Sequence, residues 1–417
     1  MGVRYLNKFI GNRCKPALSN RLLSDYEGRT IVVDTSIYMY KYLGENTLME
    51  SMYFMMAQFR YYNIEPIFVF DGAAPAEKQT VLRSREANKA TAQLKYNQTA
   101  AQLQMLLTMQ EQQQQQQQEH HPGYEQATIG AVVCDGLDDC RDADRRRTIL
   151  EHEDAMRGLR KRFIRVHGYE LSDVKRLMRA FDMRYVEANG EADIMCAQIV
   201  KCGIAHACMS DDMDMFLYGC PRVLRYTNLI HGTCVEYDLH RILDLLGVSL
   251  AGLRKICILS GTDYNPDNFD PCMRCRIFLS DIYESYIDFR SFNTGDSEEI
   301  DDTAFYEWMK QTNWLFHHID TRSLSRVFGL FSAELTGEQL LNLDNVLSKT
   351  APRLLALELP AVSGSEQSGV VTPPVSSLSL SSASSSASSS ASSSASAPFG
   401  IPIRVKKIMA QYNFIFI

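Results

Sequence analysis

Two short apolar runs, each ending in an aspartate, place the strongest constraint on the fold. They are Thr30–Asp34 and Pro66–Asp71. Continuous apolar runs of this length are typical of strands that are buried on both faces of a parallel sheet. The segment between them is long enough for a crossover helix, so the sequence predicts a βαβ unit. In that unit an aspartate lies at the carboxyl end of each strand.

The same strand and helix pattern returns after a polar interval. Tyr185–Ala188, then residues 191–201, then Ala205–Ser210 have the pattern of a strand, a helix and a strand. The sequence therefore predicts an α/β fold in which a parallel sheet resumes beyond an insertion. Further elements are predicted as a hairpin of Val223–Tyr226 with Cys234–Tyr237, helices over 239–246 and 250–260, and mostly helical structure to about Leu355.

Low-complexity sequence divides the chain. Residues 77–110 contain no glycine or proline and predict a helix, which runs into the polyglutamine tract Gln112–Gln118. The polar sequence from that tract to about Arg147 is expected to be disordered. The predicted regions are 1–95 and 148–270 for the two parts of the α/β sheet domain, 96–147 for an insertion, 271–356 for a helical region, 357–400 for a serine- and alanine-rich linker, and 401–417 for a tail.

Composition limits the class of protein. The formal net charge of the 417 residues is -7, which argues against a protein that simply coats DNA, although arginine and lysine crowd between Arg141 and Arg184. Eleven cysteines without a secretory leader fit reduced thiols inside the cell. No apolar run approaches the ~20 residues of a membrane span, so no membrane partner is expected.

Seven acidic residues follow the predicted strands and helices in a way that would bring them together. In an open parallel sheet the carboxyl ends of the strands meet at one edge, where ligands bind. So many carboxylates without cations would repel one another, so the cluster indicates a site for hard divalent ions, best Mg²⁺. Each aspartate taken alone is more often a helix cap or a turn residue. The seven are Asp34, Asp71, Glu191, Asp193, Asp212, Asp214 and Asp263.

These residues stand in motifs that resemble the XPG/flap endonuclease family. Residues 33–36 and 69–72 are similar to its first two metal-binding motifs, and 188–193 to its Glu-Ala-Glu box, with Asp193 in place of the second glutamate. Residues 211–214 and the Gly-Thr-Asp-Tyr sequence at 261–264 complete the set. The resemblance covers roughly residues 1–95 and 180–265.

The resemblance implies a PIN-like parallel sheet flanked by helices, a helical arch and a helical C-terminal region. It implies two Mg²⁺ ions, with Mn²⁺ as a substitute, held by the seven acids and activating water for phosphodiester hydrolysis. It assigns Lys78 and Arg85 to the scissile phosphate, with a solvated charged helix face as the alternative. It also brings Gly2 close to the active site and places Tyr40 against a DNA base, with a core or crossover-helix position as the alternative for Tyr40.

The chain departs from the family in two regions. Residues 265–293 contain no glycine, whereas relatives use a Gly-x-Gly turn there in a helix-two-turn-helix that grips duplex DNA. The tail Gln411–Ile417 is similar to a sliding-clamp motif without keeping its spacing, so it either binds a clamp or packs on the domain. These departures and the polyglutamine insertion are features of a divergent member, such as one encoded by a large DNA virus.

The expected function is a structure-specific, magnesium-dependent 5′ nuclease that cuts flap or branched DNA in replication or repair. Two alternatives stay open: a 5′→3′ exonuclease on DNA or RNA, and a catalytically weak scaffold that binds nucleic acid. We expect a monomer that binds DNA in the nucleus. For a viral protein that would be the host nucleus or a cytoplasmic replication site.

Overall fold

One mixed sheet organises the protein. The computed structural model describes residues 2–119, 135–265, 278–292, 303–313, 316–334, 403–412 and 414, and the side chains of 110, 113–119, 135–143 and 403 lie outside that description. The strands are β1 (Leu18–Leu22), β2 (Thr30–Asp34), β3 (Glu65–Phe70), β4 (Arg184–Glu187), β5 (Ala207–Met209), β6 (Arg222–Asn228) and β7 (Thr233–Asp238). Their spatial order is β1-β7-β6-β5-β2-β3-β4. The five strands from β6 to β4 are parallel, and β7 and β1 add on as antiparallel strands.

Helices surround this sheet. Those that follow the first strands are α1 (Leu6–Arg13), α2 (Thr35–Gly44), α3 (Leu48–Tyr61), α4 (Gln79–Glu119), α5 (Asp135–Arg160), α6 (Gly168–Ala180) and α7 (Ala192–Lys201). The later ones are α8 (Asp214–Leu217), α9 (Leu239–Leu246), α10 (Leu250–Ser260), α11 (Leu279–Phe292), α12 (Ala304–Thr312), α13 (Thr321–Ser332) and α14 (Ile403–Ala410). The predicted α/β sheet flanked by helices is confirmed. In the described part of the chain, no helix combines the length and the apolar character needed to cross a bilayer.

The buried strands explain why both faces of the sheet are covered. Successive side chains of a strand point to opposite faces, so Ile31 and Val33 join one core while Val32 joins the other. α2, α3, α6 and α14 cover the first face, and α1 with α7 to α13 cover the second. Because apolar residues fill both sides, β2 and β3 lack a polar face, as the sequence indicated.

The region of the polyglutamine tract differs from expectation. α4 continues through residues 112–119 and α5 already includes 135–147, so the predicted disorder is wrong for these residues, while 120–134 lie outside the described residues. Glutamine is a good helix former, and α4 packs against α5. A ring contact between Tyr96 and Phe163, with centroids 5.4 Å apart, joins α4 to the segment after α5. These two packed helices stand where the arch is predicted, and they are called the arch.

Other expectations meet the structure unevenly. The hairpin is confirmed as β6 paired with β7, and both helices from Leu239 to Ser260 are confirmed. β1 is not predicted from the sequence, because its residues are mostly polar and form no apolar run. In the structure this strand is largely exposed. The predicted change in the helix-two-turn-helix falls mainly on 266–277, outside the described residues. The tail packs on the domain through α14.

Candidate active site

The sheet order brings three of the predicted acids together. β5, β2 and β3 are neighbours, and a carboxylate lies at the carboxyl end of each: Asp212 three residues after β5, Asp34 at the end of β2, and Asp71 directly after β3. Local hydrogen bonds orient these groups. The Ser210 hydroxyl donates to Asp34 Oδ2 over 2.9 Å, and the backbone N–H of Ala192 donates to Asp71 Oδ1 over 2.9 Å.

The other acids reach the same place from helices. Glu191 is the N-cap residue of α7, Asp193 is in its first turn, and Asp263 follows α10. All three line a cavity of about 690 Å³, together with the three strand-end aspartates. The structure therefore gathers six of the seven predicted acids around one cavity.

Asp214 is the seventh acid and does not line the cavity. It begins α8, its side chain is buried, and its backbone N–H donates to Asp212 Oδ1 over 3.1 Å. Its Oδ1 atom is buried without a hydrogen-bond partner among the described residues. A buried carboxylate oxygen without a donor is costly, so Asp214 is suited to a cation that the protein does not itself supply.

Gly2 lies against these two aspartates. Its φ is +78°, and a Cβ atom there would come within 2.3 Å of Asp212 Oδ1 and 2.5 Å of Asp214 Oδ1. Only glycine fits this approach, because any side chain would collide with both carboxylates. The predicted closeness of Gly2 to the site is thus present in the structure.

Crowding changes the protonation of the buried acids. Burial raises the pKa of Asp34 to about 7, and the negative charges of Asp71 and Asp212 add to the rise. Burial and neighbouring aspartates also raise the pKa values of Asp193 and Asp214 well above the usual range. Each of these groups resists ionisation as it stands, so the cluster favours added positive charge.

Lys78 and Arg85 supply positive charge at the wall. Lys78 ends the short 3₁₀ helix Ala76–Lys78, just before α4, and its Nζ lies 2.5 Å from Glu191 Oε1. Burial opposes the charge on Lys78, but Glu191 beside it raises its pKa. Arg85, on α4, forms an ion pair with Asp263. Both cations line the cavity, and they reach acids rather than solvent alone.

Two buried tyrosines hold Glu191 from the other side, and neither was singled out from the sequence. The hydroxyls of Tyr218 and Tyr264 lie 2.6 Å apart, and Tyr264 donates to Glu191 Oε2. The Tyr264 ring also lies under Lys78, with Nζ 4.8 Å from the ring centroid. Tyr264 belongs to the Gly-Thr-Asp-Tyr motif, which gave a signal, whereas Tyr218 had none.

The base of the arch forms the basic side of the cavity. Tyr40 lines it and is 42% exposed, so it is not a core residue, and it lies on α2, within the crossover between β2 and β3. Lys89 Nζ lies 5.6 Å from the centre of the Tyr40 ring. Lys161 and Arg162, from the basic stretch after α5, also line the cavity. An aromatic face and several cations therefore lie beside the acids.

The carboxylate ligands suit a divalent metal, although they are not yet arranged as a complete coordination shell. In the arrangement of the described residues, no three Asp, Glu, His or Cys side chains already converge as a metal site. The acids are instead held by partners, such as Lys78 on Glu191 and Arg85 on Asp263. Because all the donors are carboxylate oxygens and Asp214 keeps one oxygen unpaired, the residues fit hard cations once the acids rotate.

Two family models match parts of the chain. The XPG N-terminal domain matches residues 1–92, and the XPG I-region matches residues 182–263. The two matches include all seven acids together with Lys78 and Arg85. The long helices of the arch lie mostly between them.

Curated relatives match over part of their length. Flap endonuclease 1-B of Oryza sativa subsp. indica is 26% identical over 284 residues, covering 63% of this chain and 57% of that protein. Flap endonuclease 1 of Homo sapiens is 24% identical over 282 residues, covering 63% of this chain and 62% of that protein. The alignments thus span less than two thirds of these relatives.

Solved structures resemble the fold more distantly. The catalytic core of Rad2 in complex with DNA substrate is 19% identical, with a TM-score of 0.45 and coverage of 84% of this chain and 94% of that one. The Holliday junction-resolving enzyme GEN1 in complex with product DNA and Mg²⁺ is 14% identical, with a TM-score of 0.47 and coverage of 82% and 68%. With both XPG regions matched in order, the chain is similar to the XPG/flap endonuclease family over these two regions.

Proposed function

We propose that this protein is a structure-specific 5′ nuclease that hydrolyses phosphodiester bonds in flap or branched DNA, using two Mg²⁺ ions. The observation that carries the proposal is the cavity in which six acids face two cations, Lys78 and Arg85, beside the basic side chains at the base of the arch. Carboxylates alone would repel a phosphate. The cluster therefore makes chemical sense as a metal site that faces nucleic acid. The names of the similar proteins, flap endonuclease 1-B and flap endonuclease 1, support this proposal.

The metal-holding residues would be the seven acids. Bound magnesium would supply an activated water and neutralise charge on the leaving oxygen. In the net reaction the water oxygen bonds to phosphorus, the bond from phosphorus to the leaving oxygen breaks, and the water protons remain with the two products or pass to solvent. The seven are Asp34, Asp71, Glu191, Asp193, Asp212, Asp214 and Asp263.

Lys78 and Arg85 would serve as a phosphate clamp that is shielded until DNA arrives. Each cation is already paired with an acid of the cluster, Glu191 or Asp263. A scissile phosphate that draws the cations toward itself would free both carboxylates for metal. This exchange couples substrate binding to completion of the metal site, because the same cations cannot neutralise both partners fully.

The arch base would hold the strand next to the cut. Lys89, Lys161 and Arg162 can neutralise backbone phosphates without regard to sequence. The exposed ring of Tyr40 offers a stacking face for a base, which also tolerates any sequence. Recognition by charge and stacking suits an enzyme that selects DNA by shape.

A cleavage assay tests the proposal. End-labelled 5′-flap, nicked and four-way DNA, and a matched RNA flap, are incubated with protein in MgCl₂, in MnCl₂ and in EDTA. We expect metal-dependent incision of the flap, lost in Asp71→Asn and retained in Asp244→Asn, an exposed control on α9. Equal cleavage by Asp71→Asn would refute the metal site, and preferred cleavage of RNA or of plain 5′ ends would replace the substrate.

Cellular context follows from this activity as part of the same proposal. We place the enzyme in DNA replication or repair in the nucleus, or at the replication site of a virus that encodes it, acting as a monomer. Clamp binding would require release of Tyr412 and Phe414, since both contact the folded domain. Imaging of a tagged protein and sizing in solution test the location and the monomeric state. Co-purification with a sliding clamp tests that partner.

A further inference from the structure

The C-terminal segment 403–414, described at residues 403–412 and 414, packs on the domain as an amphipathic helix with an aromatic end. Val405 and Met409 are fully buried, and because they are four residues apart they share one face of α14. They join the same apolar core as α3 and α6. Arg404, Lys406 and Lys407 are exposed. The helix thus shows an apolar face to the domain and a basic face to solvent.

Side-chain contacts fix both ends of this segment. The partners on the domain come from α3, from α6 and from the turn after α6. An ion pair holds the first turn of the helix, while hydrogen bonds and a ring contact hold the residues after it. The contacts are Arg404 with Asp182, Arg176 with Gln411 over 2.9 Å, Tyr412 with Asp173, and the rings of Phe414 and Tyr53 with centroids 5.1 Å apart.

The surface that receives the segment is continuous with the cavity wall. α6 directly follows residues 161–167, and Lys161, Arg162 and Ile164 of that stretch line the cavity. Val166, in the same stretch, packs against the apolar core that buries Val405 and Met409. Val166 therefore connects the stretch that lines the cavity to the apolar cluster shared by α6 and the tail.

The connection to the tail is long. Residues 335–402 join the end of the described α13 region to α14, and the serine- and alanine-rich part of them, 357–400, is the predicted linker. A linker of tens of residues gives its tethered end an effective concentration of about 1 mM or less. Even weak intrinsic affinity for the surface would then keep the segment docked in cis. A free peptide of the same sequence would compete at similar concentrations.

We infer that the surface between α3 and α6 is a peptide-binding groove whose ligand is the chain's own segment 403–414. Its docking positions the cavity wall 161–167 for substrate. The groove recognises an amphipathic helix by two apolar side chains on one face, followed by a tyrosine and a phenylalanine, with Asp182 for the leading Arg404. The effect on substrate rests on the proposed function, whereas the docking itself does not.

The test compares two full-length variants. Val405→Ser combined with Met409→Ser removes the apolar face, and Lys407→Ser places serine on the exposed face as the matched control. Hydrogen exchange of residues 161–180 should become about tenfold faster in the double variant and stay unchanged in the control. Adding a synthetic peptide of residues 401–417 should restore protection, and the same peptide with both serines should bind at least tenfold more weakly by fluorescence anisotropy.

Several outcomes decide the inference. Unchanged exchange in the double variant, or failure of the wild-type peptide to bind it, overturns the groove. A dimer of the full chain that the double variant converts to monomer overturns docking in cis, since the segment would then come from a second copy. If the proposed nuclease activity is present, KM for DNA rises in the double variant with kcat unchanged. If that activity is absent, the exchange and peptide measurements still decide the docking.

Discussion

Replacing Gly72 by alanine should disturb the site more than any change of similar size nearby. The Gly72 N–H donates to the carbonyl oxygen of Gly190 over 2.7 Å, which joins the end of β3 to the turn before α7. A Cβ atom on Gly72 would lie 1.9 Å from the carbonyl oxygen of Ala188, whereas real contacts essentially never fall below 3.0 Å. The two backbone segments must therefore move apart by about 1.1 Å.

The magnitude follows from what that shift breaks. Forcing an extra methyl group into packed backbone costs about 1–3 kcal/mol, and weakening the hydrogen bond to Gly190 adds about 1 kcal/mol. The free energy of unfolding should therefore fall by about 2–4 kcal/mol. Glu191 would also move away from Asp71, since the hydrogen bond from Ala192 to Asp71 spans the same gap. Affinity for Mn²⁺ should fall with stability.

Urea unfolding and calorimetric titration with Mn²⁺ measure the two effects. Gly190→Ala is the matched control, because the nearest atom to its new Cβ is 4.0 Å away, and we expect a change within about 0.5 kcal/mol. If Gly72→Ala unfolds with the same free energy as Gly190→Ala, the close approach between β3 and the turn does not constrain the protein. If stability falls while Mn²⁺ binding is unchanged, the spacing of Asp71 and Glu191 does not matter for metal.

Three further changes have defined outcomes. Without divalent ions, the free energy of unfolding should fall as the pH rises from about 4 to about 7. Burial and nearby aspartates raise the pKa of Asp34 to about 7, so the folded chain holds that proton more tightly than the unfolded chain does. In thermal melts, MgCl₂ should reduce or reverse this trend. Lys78→Met should slow single-turnover cleavage on the order of 100-fold, while the exposed control Lys8→Met leaves the rate unchanged. Tyr218→Phe should lower the free energy of unfolding in urea by about 1 kcal/mol, since the ring stays but the hydrogen bond to Tyr264 is lost; no change would refute that bond.

Local sequence was sufficient to predict the framework of the site. An apolar run followed by aspartate marks the end of a buried strand, and parallel pairing of such strands requires their carboxyl ends to share an edge. Asp34 and Asp71 could therefore be placed side by side from the sequence. The seven acids were found in this way and through the family motifs. Their roles as metal ligands, and those of Lys78 and Arg85, stay predictions.

Contacts between distant residues could be known only from the tertiary structure. Two contacts join segments that are far apart in the chain, and nothing in either segment alone specifies the partner: Lys78 with Glu191, and Tyr218 with Tyr264. The burial of Asp214 likewise depends on segments that pack around it. Packing between α4 and α5 likewise extends helix into sequence whose composition suggested disorder.

The carboxylate cluster thus has two origins. Its position comes from sequence, because strand period and strand ends are local properties of the chain. Its electrostatics come from the fold: burial is set by α7, α8 and the sheet packing together, and burial raises the pKa values of Asp34, Asp193 and Asp214. A charge pattern along the chain fixes which groups can ionise, but only their mutual distance and removal from water decide what ionisation costs.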